Sequence, residues 1–204
     1  MPLFANSSKR DRAAKNNFEN TEPALEPERV LLYREMDGIT LKEMTKELCR
    51  ELFRGYEYDP MIFADMSAFK PYKYSEESAD AHFEKQNKPD RKSFAIMLDG
   101  KVIGEVYFKH IDRKNKTCEL GIGIKSDGFK NRGYGTAAER LAVEYAFERM
   151  NMSTVLADTI HKNKRSAHVL EKAGFSFVSE DDMFRYYRID KNDLKSLCGG
   201  EETL

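Results

Sequence analysis

One stretch limits the possible folds of this chain more than any other. It runs from Thr117 to Arg149, TCELGIGIKSDGFKNRGYGTAAERLAVEYAFER. It opens with a strand-like run, Thr117 to Ile124, and passes through a loop holding Lys130, Asn131, Arg132, Gly133, Tyr134 and Gly135. It closes in a helix, where Ala137, Ala138, Leu141, Ala142, Tyr145 and Ala146 recur at helical spacing. A strand, a glycine-punctuated loop and a helix start together make an anion-binding arrangement. Glycines let the backbone approach a ligand, and the free N–H groups of a first helical turn point at negative charge. The helix dipole adds partial positive charge at the same place. A lone Gly-x-Gly is more often a plain turn, so its weight depends on what flanks it.

Upstream lies a strand–turn–strand pattern. Ser93 to Leu98 reads as a buried strand, Asp99-Gly100 as a two-residue hairpin turn, Lys101 to Ile111 as the returning strand and Asn115 as the next turn. Downstream, Thr154 to Ile160 reads as a strand. Lys164 to Ala173 reads as a helix stopped by Gly174, and a last hairpin runs through Phe175–Glu180 and Met183–Ile189 around Asp181-Asp182. Towards the start, Arg29 to Glu35 predicts a first strand and Asp37-Gly38 a turn. Thr40 with Glu43 fits a capping box, and Leu41, Met44, Leu48 and Leu52 follow at helical spacing, predicting a helix over 40–54. Ser75 to Gln86 predicts a short charged helix, with Ser75, Ser78, Glu76 and Glu77 suited to its first turn. The sum is an α+β (mixed α/β) fold with a mostly antiparallel central sheet flanked by helices.

Composition narrows the partners. A 204-residue chain with 40% hydrophobic and 34% charged residues is one globular domain with room for a sizeable core. A formal net charge of -1 gives no global pull towards nucleic acid or an anionic membrane. No apolar run approaches the roughly 18 residues of a membrane span. The start, MPLFANSSKRDRAAK, lacks the apolar core of a secretory signal. Cys49, Cys118 and Cys198 are far apart with no C-x-x-C, which suits free thiols in a reducing compartment. The four scattered histidines show no metal-ligand spacing. A cytoplasmic protein is expected. Residues 1–27, polar with Pro2, Pro23 and Pro27, read as an extension poorly ordered on its own, residues 28–192 as the domain, and 193–204 as a tail.

Lys130-x-x-Gly133-x-Gly135-Thr136 resembles the Gln/Arg-x-x-Gly-x-Gly/Ala signature of the GNAT superfamily, the acyl-CoA-dependent N-acyltransferases. Lys130 stands where Gln or Arg is usual. A second element, Asn163-x-x-Ser166 followed by Leu170-Glu171-Lys172-Ala173-Gly174-Phe175, resembles the superfamily's Asn-x-x-Ser/Ala helix ending in Gly-Phe. Read singly, Asn163 caps a helix and Gly174 ends one; two signatures in the right order around a strand carry more. The resemblance spans about residues 29–190. It implies acetyl-CoA as cofactor, with its pyrophosphate on the loop of Lys130, Asn131, Arg132, Gly133, Tyr134, Gly135 and Thr136. It implies pantetheine between the splayed fourth and fifth strands of the reading above, paired with the fourth like an added strand. Gly121, Ile122, Gly123 and Ile124 would line that seat, with Gly121 and Gly123 fitting a bulge or a close approach. Asn163 and Ser166 would touch the pantetheine.

The resemblance also implies a strand-four carboxylate as base, because an alkyl ammonium must lose a proton before it attacks. Glu119 is the candidate, and its partly buried place predicts a pKa raised towards neutrality. The ordinary alternative is a glutamate paired with a cross-strand Lys or Arg. Glu105 and His110 are lesser candidates. Backbone N–H groups of strand four would hold the oxyanion, and no nucleophile is assigned to Cys118. Many members carry a Tyr on the last helix as general acid, and Leu170 occupies that place here. His161 follows the fifth strand near the expected site, and His168 reads as surface or packing.

The expected reaction is direct transfer of acetyl from acetyl-CoA to a primary amine, either a protein N-terminus or a small molecule. The closest likeness is the branch acetylating N-termini of ribosomal proteins. A polyamine, amino-acid or antibiotic acetyltransferase and a non-catalytic acyl-CoA-binding sensor are the alternatives. No nucleic-acid or membrane partner is expected, and the apolar final hairpin permits a homodimer. Residues 55–75, with Tyr56, Tyr58, Phe63, Phe69, Tyr72 and Tyr74, divide evenly between acceptor-pocket wall and ordinary packing.

Overall fold

The computed structural model describes residues 33–60 and 72–193. The readings of residues 1–27, of Phe63 and Phe69, of Cys198 and of the tail lie outside them. Two short strands begin the described chain, β1 (Tyr33–Met36) and β2 (Ile39–Glu43), followed by helices α1 (Lys46–Phe53) and α2 (Glu76–Gln86). Strands β3 (Lys92–Leu98), β4 (Lys101–Asp112) and β5 (Thr117–Ile124) follow. Then come α3 (Tyr134–Glu148), β6 (Thr154–Ile160), α4 (Lys164–Ala173), β7 (Ser176–Glu180) and β8 (Phe184–Asp190). The strands form one sheet in the order β1-β2-β3-β4-β5-β6-β8-β7. Every pairing is antiparallel except β5 with β6.

The helix expected over 40–54 is corrected. Asp37 and Gly38 take φ of 53° and 75°, a hairpin turn that sends the chain back as a strand. Ile39 and Leu41, two apart and both fully buried, then face the core from β2, while Ile39–Glu43 pairs with β3. The helix starts only at Lys46. Thr45, not Thr40, caps it, its side chain accepting the Leu48 N–H at 3.3 Å. This added strand makes β5 and β6 the pair that the sequence numbered fourth and fifth. The second helix is capped as expected, with Ser75 and Ser78 exchanging side-chain-to-backbone bonds.

The sheet separates two cores. On one face α3 and α4 bury Ala138, Leu141, Ala142 and Leu170 against Val106, Phe108, Leu120 and Val155. On the other, α1 and α2 bury Cys49, Leu52, Phe53 and Ala79 against Ala95, Met97 and Val102. Strand alternation therefore sends Cys118 and Leu120 towards α3, and Glu119 towards the α1–α2 face. Every residue of the edge strand β7 is exposed.

Candidate active site

β5 and β6 are paired only from Thr117–Thr154 to Leu120–Ala157. Beyond that vertex β5 runs on through Gly121–Ile124 beside β4, and β6 runs on through Asp158–Ile160 beside β8. The two strands part, and a cleft of about 390 Å³ opens at the end of the gap. Ile122, Gly123 and Ile124 line it from β5. The register of β5 on β4 is unbroken from Glu119 to Ile124, so the bulge expected at Gly121 and Gly123 is absent. These glycines serve a close approach instead. A Cβ on Gly121 would lie 2.6 Å from the Tyr107 hydroxyl, and one on Gly123 2.8 Å from the Tyr56 hydroxyl. Tyr107 thus covers Gly121 with its ring and hydroxyl, and Tyr56 reaches Gly123 with its hydroxyl end.

The next wall is the loop and the start of α3. Gly133 takes the N-cap position with φ 86°, a left-handed conformation that suits glycine, and no side chain caps the helix. The first-turn N–H groups are therefore left for a ligand. Gly133, Gly135 and Thr136 line the cleft, as do Lys130 and Asn131. Arg132 is exposed and does not line it, and Tyr134 packs on the core beneath α3. Gly121 sits at the vertex below the cleft, covered by Tyr107.

α4 supplies the opposite wall through Asn163, Arg165, Ser166 and Val169. Asn163 caps the helix, its side-chain oxygen accepting the Ser166 N–H at 3.1 Å. Charge at the mouth is arranged by Asp59, from the segment after α1. Its carboxylate accepts from Lys130 Nζ at 2.9 Å and from the Arg165 guanidinium, while Lys130 also meets Asp127 at 2.7 Å. The sequence reading did not single out Asp59 or Arg165. It also missed Glu139, which is 1% exposed, lines the cleft and leaves Oε2 without a hydrogen-bond partner among the described residues.

Glu119 lies outside the cleft lining, at the vertex on the α1–α2 face. It forms an ion pair with Lys109, its cross-strand partner, and His110 Nδ1 lies 3.0 Å from its other oxygen. Lys109 Nζ also lies 3.5 Å from Asp158 Oδ1. The expected upward pKa is corrected. Burial does raise it, but hydrogen bonds with Asp158, Lys109 and His110 outweigh burial and hold the carboxyl below its ordinary range. Asp158 is shifted the other way, raised by burial and by the shared hydrogen bond with Glu119. The two carboxylates and Lys109 thus form one cluster that titrates as a unit. Of the lesser candidates, Glu105 is buried and 2.9 Å from His82 Nε2, and His110 belongs to the Glu119 cluster. His161 lies against the last hairpin, within 2.7 Å of the Asp181 carbonyl, whereas His168 reaches the cleft rim. Leu170 is buried in the core. Burial pushes the Cys118 thiol up to about 12, which leaves it inert as a nucleophile. Among the described residues no group of three or more His, Cys, Asp or Glu could hold a metal, and no helix is long and apolar enough to cross a membrane.

A parted strand pair opening onto an uncapped, glycine-built helix start suits an acyl-CoA: a gap for an extended arm and backbone donors for its phosphates. The residues present fit that cofactor, since an orphaned carboxyl and two cations held by one aspartate stand in the same cleft. The chain belongs to the GNAT acetyltransferase family, whose domain model matches residues 39–176. It is thereby an acetyl-CoA-dependent N-acetyltransferase. The acetyltransferase PseH of Campylobacter jejuni is 26% identical over 135 residues, covering 65% of this chain and 83% of that protein. The putative ribosomal N-acetyltransferase YdaF of Bacillus subtilis is 31% identical over 80 residues, 39% of this chain and 43% of that protein. The spermidine N-acetyltransferase of Vibrio cholerae, solved with CoA and spermine, shares the fold with a TM-score of 0.64 at 17% identity. It covers 78% of this chain and 98% of its own.

Proposed function

We propose that the enzyme acetylates a primary amine on a small molecule by direct transfer, with the acceptor entering from the α1–α2 face. The observation that carries this reading is the charge at the vertex. Lys109, Glu119 and Asp158 gather where the paired part of β5 and β6 ends, on the face opposite α3. A cationic acceptor meets there the paired carboxylates of Glu119 and Asp158. In this reading Glu119, expected as the base, and Asp158 act together, sharing the proton taken from the ammonium. Acetyl-CoA supplies the activated acetyl group as a thioester. Gly133, Gly135 and Thr136 would hold its phosphates through backbone N–H groups, with Lys130, Asn131 and Arg132 completing the loop. Ile122 and Ile124 would pair with its arm, and Asn163 and Ser166 would flank it. The Tyr107 hydroxyl beside Gly121 stays protonated because burial raises its pKa, so it offers a donor where Leu170 has none.

The small-amine reading is favoured by the kind of amine in the likeness to the spermidine enzyme, and a ribosomal-protein N-terminus is kept by the likeness to YdaF. We assign the exposed Phe177 and Val178 on β7 to a second copy of this chain, giving a homodimer. CoA release is measured with spermidine, an amino sugar and an N-terminal peptide, for the wild type and Glu119→Gln. Turnover on a small amine that falls in the variant with unchanged acetyl-CoA affinity is expected. Turnover on the peptide alone moves the acceptor to a protein N-terminus. Acetyl-CoA binding with no turnover on any amine makes the protein a sensor and overturns the proposal.

A further inference from the structure

Glu139 is an anomaly in α3. The helix buries Ala137, Ala138, Leu141 and Ala142, and Glu139 lies among them at 1% exposure. Helices rarely bury a carboxyl without a partner, because stripping its water is costly unless a hydrogen bond replaces it. Among the described residues its Oε2 has no such bond. Its position gives the reason. It follows Gly135 by four residues and Thr136 by three, so all three share one face of the helix, and all three line the cofactor cleft. The missing partner therefore lies on the side where the cofactor binds.

We propose that Glu139 is a cofactor-binding residue whose carboxyl donates a hydrogen bond to an oxygen of acetyl-CoA, either a phosphate oxygen or an amide carbonyl of the arm. The inference rests on the acetyl-CoA reading of the cleft. To donate, the group must carry its proton, and burial raises its pKa to about 8. No neighbouring charge contributes to that shift. The charged and titratable groups facing the cleft from the other elements are Arg165, His168 and Lys172 on α4, Tyr56, Glu57 and Asp59 after α1, and Lys130 in the loop. Arg140, next in α3, is turned to the Lys172 carbonyl at 2.7 Å. The Glu139→Gln variant, which cannot ionise at that position, tells a break at Glu139 from one at any of these groups. Ionisation removes the donor and sets a negative charge beside an acceptor oxygen, so affinity falls as pH rises.

The test is the acetyl-CoA dissociation constant, measured by calorimetry from pH 6.5 to 9.5. Wild type is expected to bind about tenfold more weakly at pH 9 than at pH 7, as one proton is lost from a group near 8. Glu139→Gln keeps a donor that cannot ionise, and its profile is expected to be flat. Glu139→Leu has no donor and is expected to bind roughly fivefold more weakly at pH 7. Proton uptake on binding to wild type, read at pH 8.5 in buffers of different ionisation enthalpy, needs no variant and is expected to be positive. A break that persists with pantetheine, which carries no phosphate, and vanishes with adenosine 3′,5′-diphosphate assigns the contact to the arm; the reverse assigns it to the phosphates. A flat wild-type profile, absence of proton uptake, or a Glu139→Gln profile that breaks like wild type overturns the proposal. Failure of acetyl-CoA to bind at any pH instead overturns the reading of the cleft.

Discussion

The two sides of the β5–β6 gap are built from different material. The cofactor side is mostly backbone: the edge of β5 that β6 leaves beyond Leu120, a left-handed Gly133 and an uncapped helix start. The opposite face is mostly side chain: Tyr56 and Tyr107 laid over glycines, and Lys109 shared by Glu119 and Asp158. A backbone site tolerates many side chains, provided the glycines stay. A side-chain site depends on each charge, because removing one partner leaves the others half-buried and unbalanced. The first arrangement suits a cofactor common to many enzymes, and the second suits an acceptor particular to one.

The difference predicts that mutations separate cleanly by side. Asp158→Asn removes one of the two carboxylates that share the proton while leaving the cleft untouched, so kcat is expected to fall about 100-fold with acetyl-CoA affinity unchanged. Gly133→Ala forces a Cβ into a left-handed conformation at φ 86°. It is expected to weaken acetyl-CoA about tenfold, with kcat at saturation little altered. Steady-state kinetics with calorimetry checks both, and a variant that moves both quantities together breaks the separation. A smaller effect is expected at the cleft mouth, where the two sides meet. Asp59 holds Lys130 and Arg165 at the cleft mouth, and a phosphate would compete with it for both cations. Asp59→Asn is expected to tighten acetyl-CoA binding roughly threefold, more at low salt than at high salt. Weaker binding would make Asp59 a support for the loop rather than a competitor.

The same division explains what could be read from the chain alone. Thr117–Ile124, Thr154–Ile160 and Lys164–Ala173 were legible to the residue, because turn residues and caps bound each one. That Gly133, Gly135, Asn163 and Ser166 would stand at one cleft was legible because glycine and capping residues recur there at fixed spacing. β2 was not. Thr40 with Glu43 imitates a capping box, and only the left-handed Asp37-Gly38 turn and the pairing with β3 decide for a strand. The vertex cluster was half legible. Glu119 stood out as a charge in an apolar strand, but its pKa is set by Lys109, Asp158 and His110, which only the sheet register brings together. Asp59 and Arg165 are 106 residues apart in sequence and meet only in space. Glu139 did leave a signal, a carboxylate inside the apolar stripe of α3.

The central claim is that the cofactor arm seats along the freed edge of β5 and its phosphates cap α3. Amide hydrogen exchange resolved by residue, with and without acetyl-CoA, tests it most directly. Slowed exchange is expected on β5 beyond Leu120 and in the first turn of α3 after Gly133, with little change where β5 is already paired to β6. Unchanged exchange in both places, with protection appearing elsewhere, would contradict it.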